Sequence, residues 1–209
     1  MELDDLIELM EVVAGEEIEK ANEISFPNVV DLSSALDRNI YLGDIITGVG
    51  KDIDQQIRFW NRYDEKNEIP VEEREPIKIY IDSCGGSLIE TFTMIDSISM
   101  SKTPVWTICT GAAYSGGFFT FIAGHRRIVY PFSSLLYHEG ATGTSADAGK
   151  FRNFAAFYEK QLKQLKTIVL KYTNIDEDTY ERHIKDDWWF TAEEALEYGI
   201  CDEIAEELI

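Results

Sequence analysis

Apolar side chains recur along this chain at two different spacings, and the switches between them mark its elements. Leu3, Leu6, Ile7, Met10 and Val13 fall on one side of a helical wheel, so residues 1–22 are expected as an amphipathic, glutamate-rich helix. Pro27 breaks any helix across 23–37, and 38–43 (RNIYLG) reads as a short strand. Helical spacing returns at Ile53, Ile57, Trp60 and Tyr63. The charged stretch 64–76, with its two prolines, reads as a solvated loop.

From Ile77 the alternation of elements sharpens. A strand over 77–81 ends in Ser83-Cys84-Gly85-Gly86, and 88–100 is helical by pattern. Pro104 precedes a second strand over 105–110, a short helix fits 116–123, and strands fall near 127–130 and 134–137. Strands alternating with helices imply right-handed crossovers and a largely parallel sheet, which places the chain in the α/β class. Between 146 and 172, Phe151, Phe154, Tyr158, Leu162, Leu165, Val169 and Tyr172 form one stripe on one long helix. Such a stripe can bury against another subunit as readily as against its own sheet. Thr191 and Glu194 have the spacing of a capping box, and Gly199 stands where a C-terminal cap belongs.

Composition narrows the function classes. The 209 residues include 19 Lys plus Arg against 39 Asp plus Glu, a net charge of −20. That surface repels phosphate backbones and anionic lipid, which argues against nucleic-acid and membrane partners. Residues 103–124 carry no charge, but glycines and hydroxyl residues interrupt them, so a buried strand–turn–helix unit is expected rather than a membrane span. The N-terminus is acidic where a signal peptide would be basic, and Cys84, Cys109 and Cys201 do not make a disulfide framework. A cytoplasmic protein without metal or other cofactor is the expectation.

The candidate chemistry centres on Ala113-Tyr114-Ser115-Gly116-Gly117, which puts a serine on a sharp turn between an apolar strand and a glycine-led helix. The helix N-terminus and the Gly116 N–H would favour a developing oxyanion. Alone, the segment reads more often as close packing of small residues at a strand–helix turn. His138 ends an apolar strand and can serve as a general base, or be an ordinary edge histidine; His125 and His183 read as surface residues. Among 39 acids, Asp187 stands out because it abuts Trp188-Trp189-Phe190, where desolvation would strengthen its bond to an imidazole; read by itself it is more often a solvated aspartate at a helix end. In the second glycine turn, Gly86 offers another oxyanion donor. That turn lacks the lysine and spacing of a phosphate-binding loop, and nothing basic adjoins Cys84 in sequence to make it a nucleophile.

Taken together, RNIYLG, IYIDSCGGS, TICTGAAYSGG, PFSSLLYHEG and FTAEEALEYGICDEI resemble, in that order, the ClpP family of serine peptidases over roughly 38–204. The resemblance implies the ClpP/crotonase-like repeated β-β-α spiral with a protruding handle at 140–172. It makes Ser115 the nucleophile, His138 the general base, Asp187 the orienting acid, and Gly86 and Gly116 the oxyanion donors. It further implies peptide substrates, self-association into stacked heptameric rings, and an AAA+ ATPase partner.

Residues 1–30 would then be an acidic N-terminal segment and 31–209 the peptidase domain. The acidity of the first segment counts against ATPase docking, because the family's docking loops are apolar. Tyr114 replaces a small residue of the family, Gly116 a bulky methionine, and Gly140 a proline; Lys185-Asp186 reverses the acid–base pair of the ring–ring contact. The other readings are a catalytically silent ClpP-like subunit, a crotonase-like acyl-CoA enzyme on the same fold, and a Ser–Lys peptidase using Lys102 or Lys150. The acyl-CoA reading lacks a basic patch for the CoA phosphates.

Overall fold

The structure, a computed structural model, describes residues 37–209, and Arg38–Ile209 forms one unit. The helix expected over 1–22 lies outside the described residues. The strands are β1 (Asn39–Leu42), β2 (Ile77–Ser83), β3 (Val105–Tyr114), β4 (Arg126–Val129), β5 (Ser134–Tyr137), β6 (Trp188–Phe190) and β7 (Glu203–Ile204). The helices are α1 (Val49–Lys66), α2 (Leu88–Met100), α3 (Gly116–Ile122), α4 (Ala148–Tyr172), α5 (Glu177–His183) and α6 (Ala192–Glu197).

Among the described residues all strand pairs are parallel except β5 with β6, as the alternation of strands and helices leads one to expect. The order runs β1-β2-β3-β4-β7, and β3 forks: its first half pairs with β4 and its second half, Ala112–Tyr114, with β5. The fork explains why β3 runs past the expected end at 110. Gly111, Ala112 and Ala113 are small enough for close approach, and Asp82 Oδ1 accepts the Ala112 N–H at 3.0 Å. α1 likewise extends to Lys66 and takes the first residues of the expected loop, the rest of which holds one 3₁₀ turn at Val71–Glu73.

The main core lies between the sheet and α1, α2, α3 and the C-terminal half of α4, with Ile79, Met94, Phe118, Leu165 and Val169 among its members. A smaller apolar group on the opposite face, Tyr80, Ile108 and Ile128, is covered by Ala205 and Ile209. Only Leu165 and Val169 of α4 are fully buried; in its first half Phe151 and Phe157 face solvent. The predicted capping box of Thr191 and Glu194 is present, and Gly199 follows α6 at φ 62°.

Among the described residues, one charged pair is built into the interior. Arg38 donates to both carboxylate oxygens of Asp64, at 3.0 and 2.6 Å, and to the Glu75 carbonyl. Thr103 Oγ1 donates to the same carboxylate at 2.6 Å, and the guanidinium lies over the Trp60 ring. Burial by itself would push the Asp64 carboxyl up, but the Arg38 and Thr103 bonds and the charges of Arg38 and Arg74 outweigh it, so its pKa lies below the ordinary aspartate value.

Candidate active site

Where β3 ends and α3 begins, the chain turns sharply at Ser115, whose φ of 53° and ψ of −119° are unusual for a residue with a side chain. Such a conformation costs on the order of 1–3 kcal/mol and persists only where the surroundings impose it. Here the Ser115 N–H is tied to Leu136 O on β5 at 2.9 Å, and α3 starts at once with the buried Gly116 and Gly117. The predicted turn is therefore a strained, hydrogen-bonded corner, with its serine on the wall of a cavity of about 760 Å³.

The second glycine turn lies against the first. A Cβ built on Gly116 would stand 3.5 Å from the Gly86 nitrogen, so the two expected oxyanion donors are neighbours. Gly86 bridges Ile45 through its flanking residues: Ile45 N donates to Gly85 O and Ser87 N to Ile45 O, both at 2.8 Å. That pattern leaves the Gly86 N–H out of the ladder. Its φ of 146° and the Ile45 carbonyl only 2.2 Å from where a Cβ would sit exclude every other residue. At Gly116 the Cβ site is taken by Thr91 Oγ1, 2.5 Å away, and Ile45 Cδ1, 3.0 Å away. This buried threonine on α2, which has no recognisable sequence signal, therefore occupies the space a side chain on residue 116 would need.

His138 follows β5 and lines the same cavity as Ser115. Its Nδ1 stands 3.4 Å from Asp187 Oδ1, which leaves Nε2 as the nitrogen not engaged with the carboxylate. Asp187 precedes β6, and the antiparallel pairing of β6 with β5 brings it beside the histidine. Of the two readings of Asp187, the structure has the solvated one: its side chain is 62% exposed, and its aromatic neighbours do not desolvate it. The reason is the strand geometry that follows it, since Phe190 is buried in the core while the aspartate stays outside the strand. His125 is used elsewhere, its Nδ1 accepting the Val105 N–H, and His183 stacks on Trp188.

The segment carrying His138 is held from two helices. Tyr137, buried, shares a hydroxyl–hydroxyl hydrogen bond with Tyr180 of α5, and Tyr158 Oη of α4 donates to Glu139 O at 3.0 Å. Burial, aided by the nearby Glu159 and Glu181, pushes the Glu139 carboxyl up. The rest of the cavity wall is largely apolar, with Leu88, Phe119, Phe154, Phe157 and Leu165. Cys84 also lines it and is exposed, whereas Cys109 and Cys201 are buried, which pushes their thiols up to about 12 and about 11. Tyr114 turns to the other face of the sheet, where its hydroxyl bonds Ser134 Oγ at 2.7 Å.

A strained serine, two neighbouring glycine turns and a histidine whose Nδ1 faces an aspartate thus come together around one cavity of an α/β fold. The sequence model of the Clp protease family matches residues 30–208, and the chain belongs to that family. It is 33% identical over 136 residues to the ATP-dependent Clp protease proteolytic subunit of Bacteroides thetaiotaomicron. That alignment covers 64% of this chain and 62% of the relative's length. No helix among the described residues is long and apolar enough to cross a membrane.

Proposed function

We propose that this protein is a serine endopeptidase that cleaves short peptides or unfolded chains through Ser115, His138 and Asp187. The observation that carries the reading is the strained Ser115 corner, with Gly86 and Gly116 packed against it and His138 on the same cavity wall. Ser115 Oγ attacks the peptide carbonyl as His138 Nε2 takes its proton, and Asp187 holds the imidazole through Nδ1. The Gly86 and Gly116 N–H groups receive the oxyanion. Collapse breaks the C–N bond, His138 returns the proton to the departing amine, and water, activated by the same histidine, hydrolyses the acyl-enzyme.

The peptidase domain is 31–209, with 140–172 as a handle that joins two heptameric rings in a cytoplasmic assembly. The solvent-facing Phe151 and Phe157 on α4 support this, as apolar surface in need of a partner. Lys185 and Asp186, both exposed, would meet their counterparts across the ring–ring twofold. Sizing of wild type and Lys185→Glu tests the assembly, with dissociation of the variant expected. Docking of an AAA+ unfoldase is not part of the proposal, because residues 1–30 are acidic where docking loops are apolar.

Intact-mass analysis after incubation with a fluorophosphonate tests the chemistry. One phosphonyl adduct is expected on wild type and none on Ser115→Ala or His138→Ala. An assembled wild type that takes no adduct would refute the peptidase and leave a silent subunit or an acyl-CoA enzyme; binding of a CoA thioester separates those two.

A further inference from the structure

We propose that Tyr114 is a positioning residue that braces the strand of the nucleophile to the strands carrying the base and the acid. The proposal rests on the peptidase reading above and assigns a role to a residue outside its triad.

Ser115, His138 and Asp187 stand at the ends of three different strands, β3, β5 and β6, so their alignment depends on the lateral register of those strands. β3 pairs with β5 through Ala112–Tyr114, and β5 with β6 through only Leu135–Tyr137. β6 has three residues and pairs with no other strand among those described, so its position needs support from side chains.

That support differs on the two faces. On the inner face Trp188 stacks on His183 and packs against Tyr198, while Phe190 enters the core. On the outer face Tyr114 is opposite Leu136, and Leu136 is opposite Trp189, so the three side chains form one row across β3, β5 and β6. Within that row the Tyr114 and Trp189 rings meet edge to face, with centroids 5.1 Å apart at 81°. The Tyr114 hydroxyl, 2.7 Å from Ser134 Oγ, adds a second tie to β5. One side chain, directly preceding Ser115, thus touches the strand that ends at His138 and the strand that begins after Asp187. A small residue at 114 could reach neither, and Trp189, half exposed, would lose its ring partner.

The test uses the assembled full-length protein and compares Tyr114→Ala, Tyr114→Phe, Trp189→Ala and the double Ala variant. Readouts are the fluorophosphonate labelling rate, kcat and KM on a fluorogenic peptide, Tm, and size. Misplacing reacting groups by a fraction of an ångström lowers the chemical step, so Tyr114→Ala is expected to lose about tenfold or more in kcat and labelling rate with KM little changed. Tyr114→Phe, which keeps the ring contact, restores most of that loss. Trp189→Ala shows the same split, and the double variant is no worse than the poorer single one because both remove one contact. A purely structural role would lower Tm without this kcat-specific loss or its rescue. If Tyr114→Ala does not fold, Trp189→Ala at its exposed site carries the comparison. Labelling and kcat at wild-type level in Trp189→Ala and Tyr114→Ala would overturn the brace while leaving the peptidase standing. A wild type that does not label would overturn the peptidase reading and the brace with it.

Discussion

Replacing Gly116 by alanine adds one methyl group at the point where the proposed oxyanion site and the packing beneath it coincide. The new Cβ would stand 2.5 Å from Thr91 Oγ1 and 3.0 Å from Ile45 Cδ1, against the 3.4 Å or more of an ordinary contact. Thr91 cannot swing away freely, because it is fully buried and its hydroxyl donates to Ser87 O at 2.9 Å. The strain is relieved only by displacing the Ser115–Gly116 corner or the start of α2. Overpacking of this kind costs about 1–3 kcal/mol, or roughly 2–12 °C in Tm for a chain of this size. If the displacement takes the Gly116 N–H out of line, the loss of one oxyanion donor lowers kcat by about 10²–10³. The double variant Gly116→Ala/Thr91→Ala removes the opposing hydroxyl and is expected to recover most of the stability and part of the rate. Thermal unfolding, with labelling and peptide hydrolysis on the same samples, reads both quantities. A Gly116→Ala protein with wild-type Tm and kcat would refute the reasoning, as would a double variant no better than the single.

Two further outcomes follow from buried charge and exposed thiol. Removing one partner of the Arg38–Asp64 pair leaves a buried charge, so Asp64→Ala should cost about 3–5 kcal/mol in urea unfolding at pH 7. Because the folded Asp64 pKa lies below its unfolded value, the pair's contribution is complete above about pH 4 and declines as pH falls through the folded value. The gap between wild type and Asp64→Ala should therefore narrow in acid, and a gap independent of pH down to about 2 would show that the carboxylate is not held ionised by its partners. Native protein treated with a maleimide should gain one adduct, at Cys84, and two more only on unfolding. Because Cys84 lines the cavity, that adduct should also slow cleavage of a peptide substrate; early modification of Cys109 or Cys201 would contradict the burial described.

Much of this molecule was legible in its residues because the relevant signals are local. The spacing of Ile53, Ile57 and Trp60, the run of Leu88–Met100 and the Thr191–Glu194 box depend on interactions within a few residues, and each appears as an element. The β-α alternation predicted the parallel sheet for the same reason, since a crossover needs only a strand, a helix and a fixed hand. What the chain alone did not reveal depends on pairings between distant segments. The extension of β3 to Tyr114 comes from β5, twenty residues on; β6 is three aromatic residues too short to show a period, and exists because β5 offers it an edge.

The site divides along the same line. The ordered motifs marked Ser115, His138, Gly86 and Gly116 as candidates through their likeness to a family, and only the glycines follow from local backbone needs, as at Gly86 with its φ of 146°. Tertiary structure alone put Thr91 in the space beside Gly116, decided that Asp187 is exposed, and set Tyr114 against Trp189. Burial and lateral contact are properties of the assembled sheet, and no window of the sequence contains both sides of such a contact.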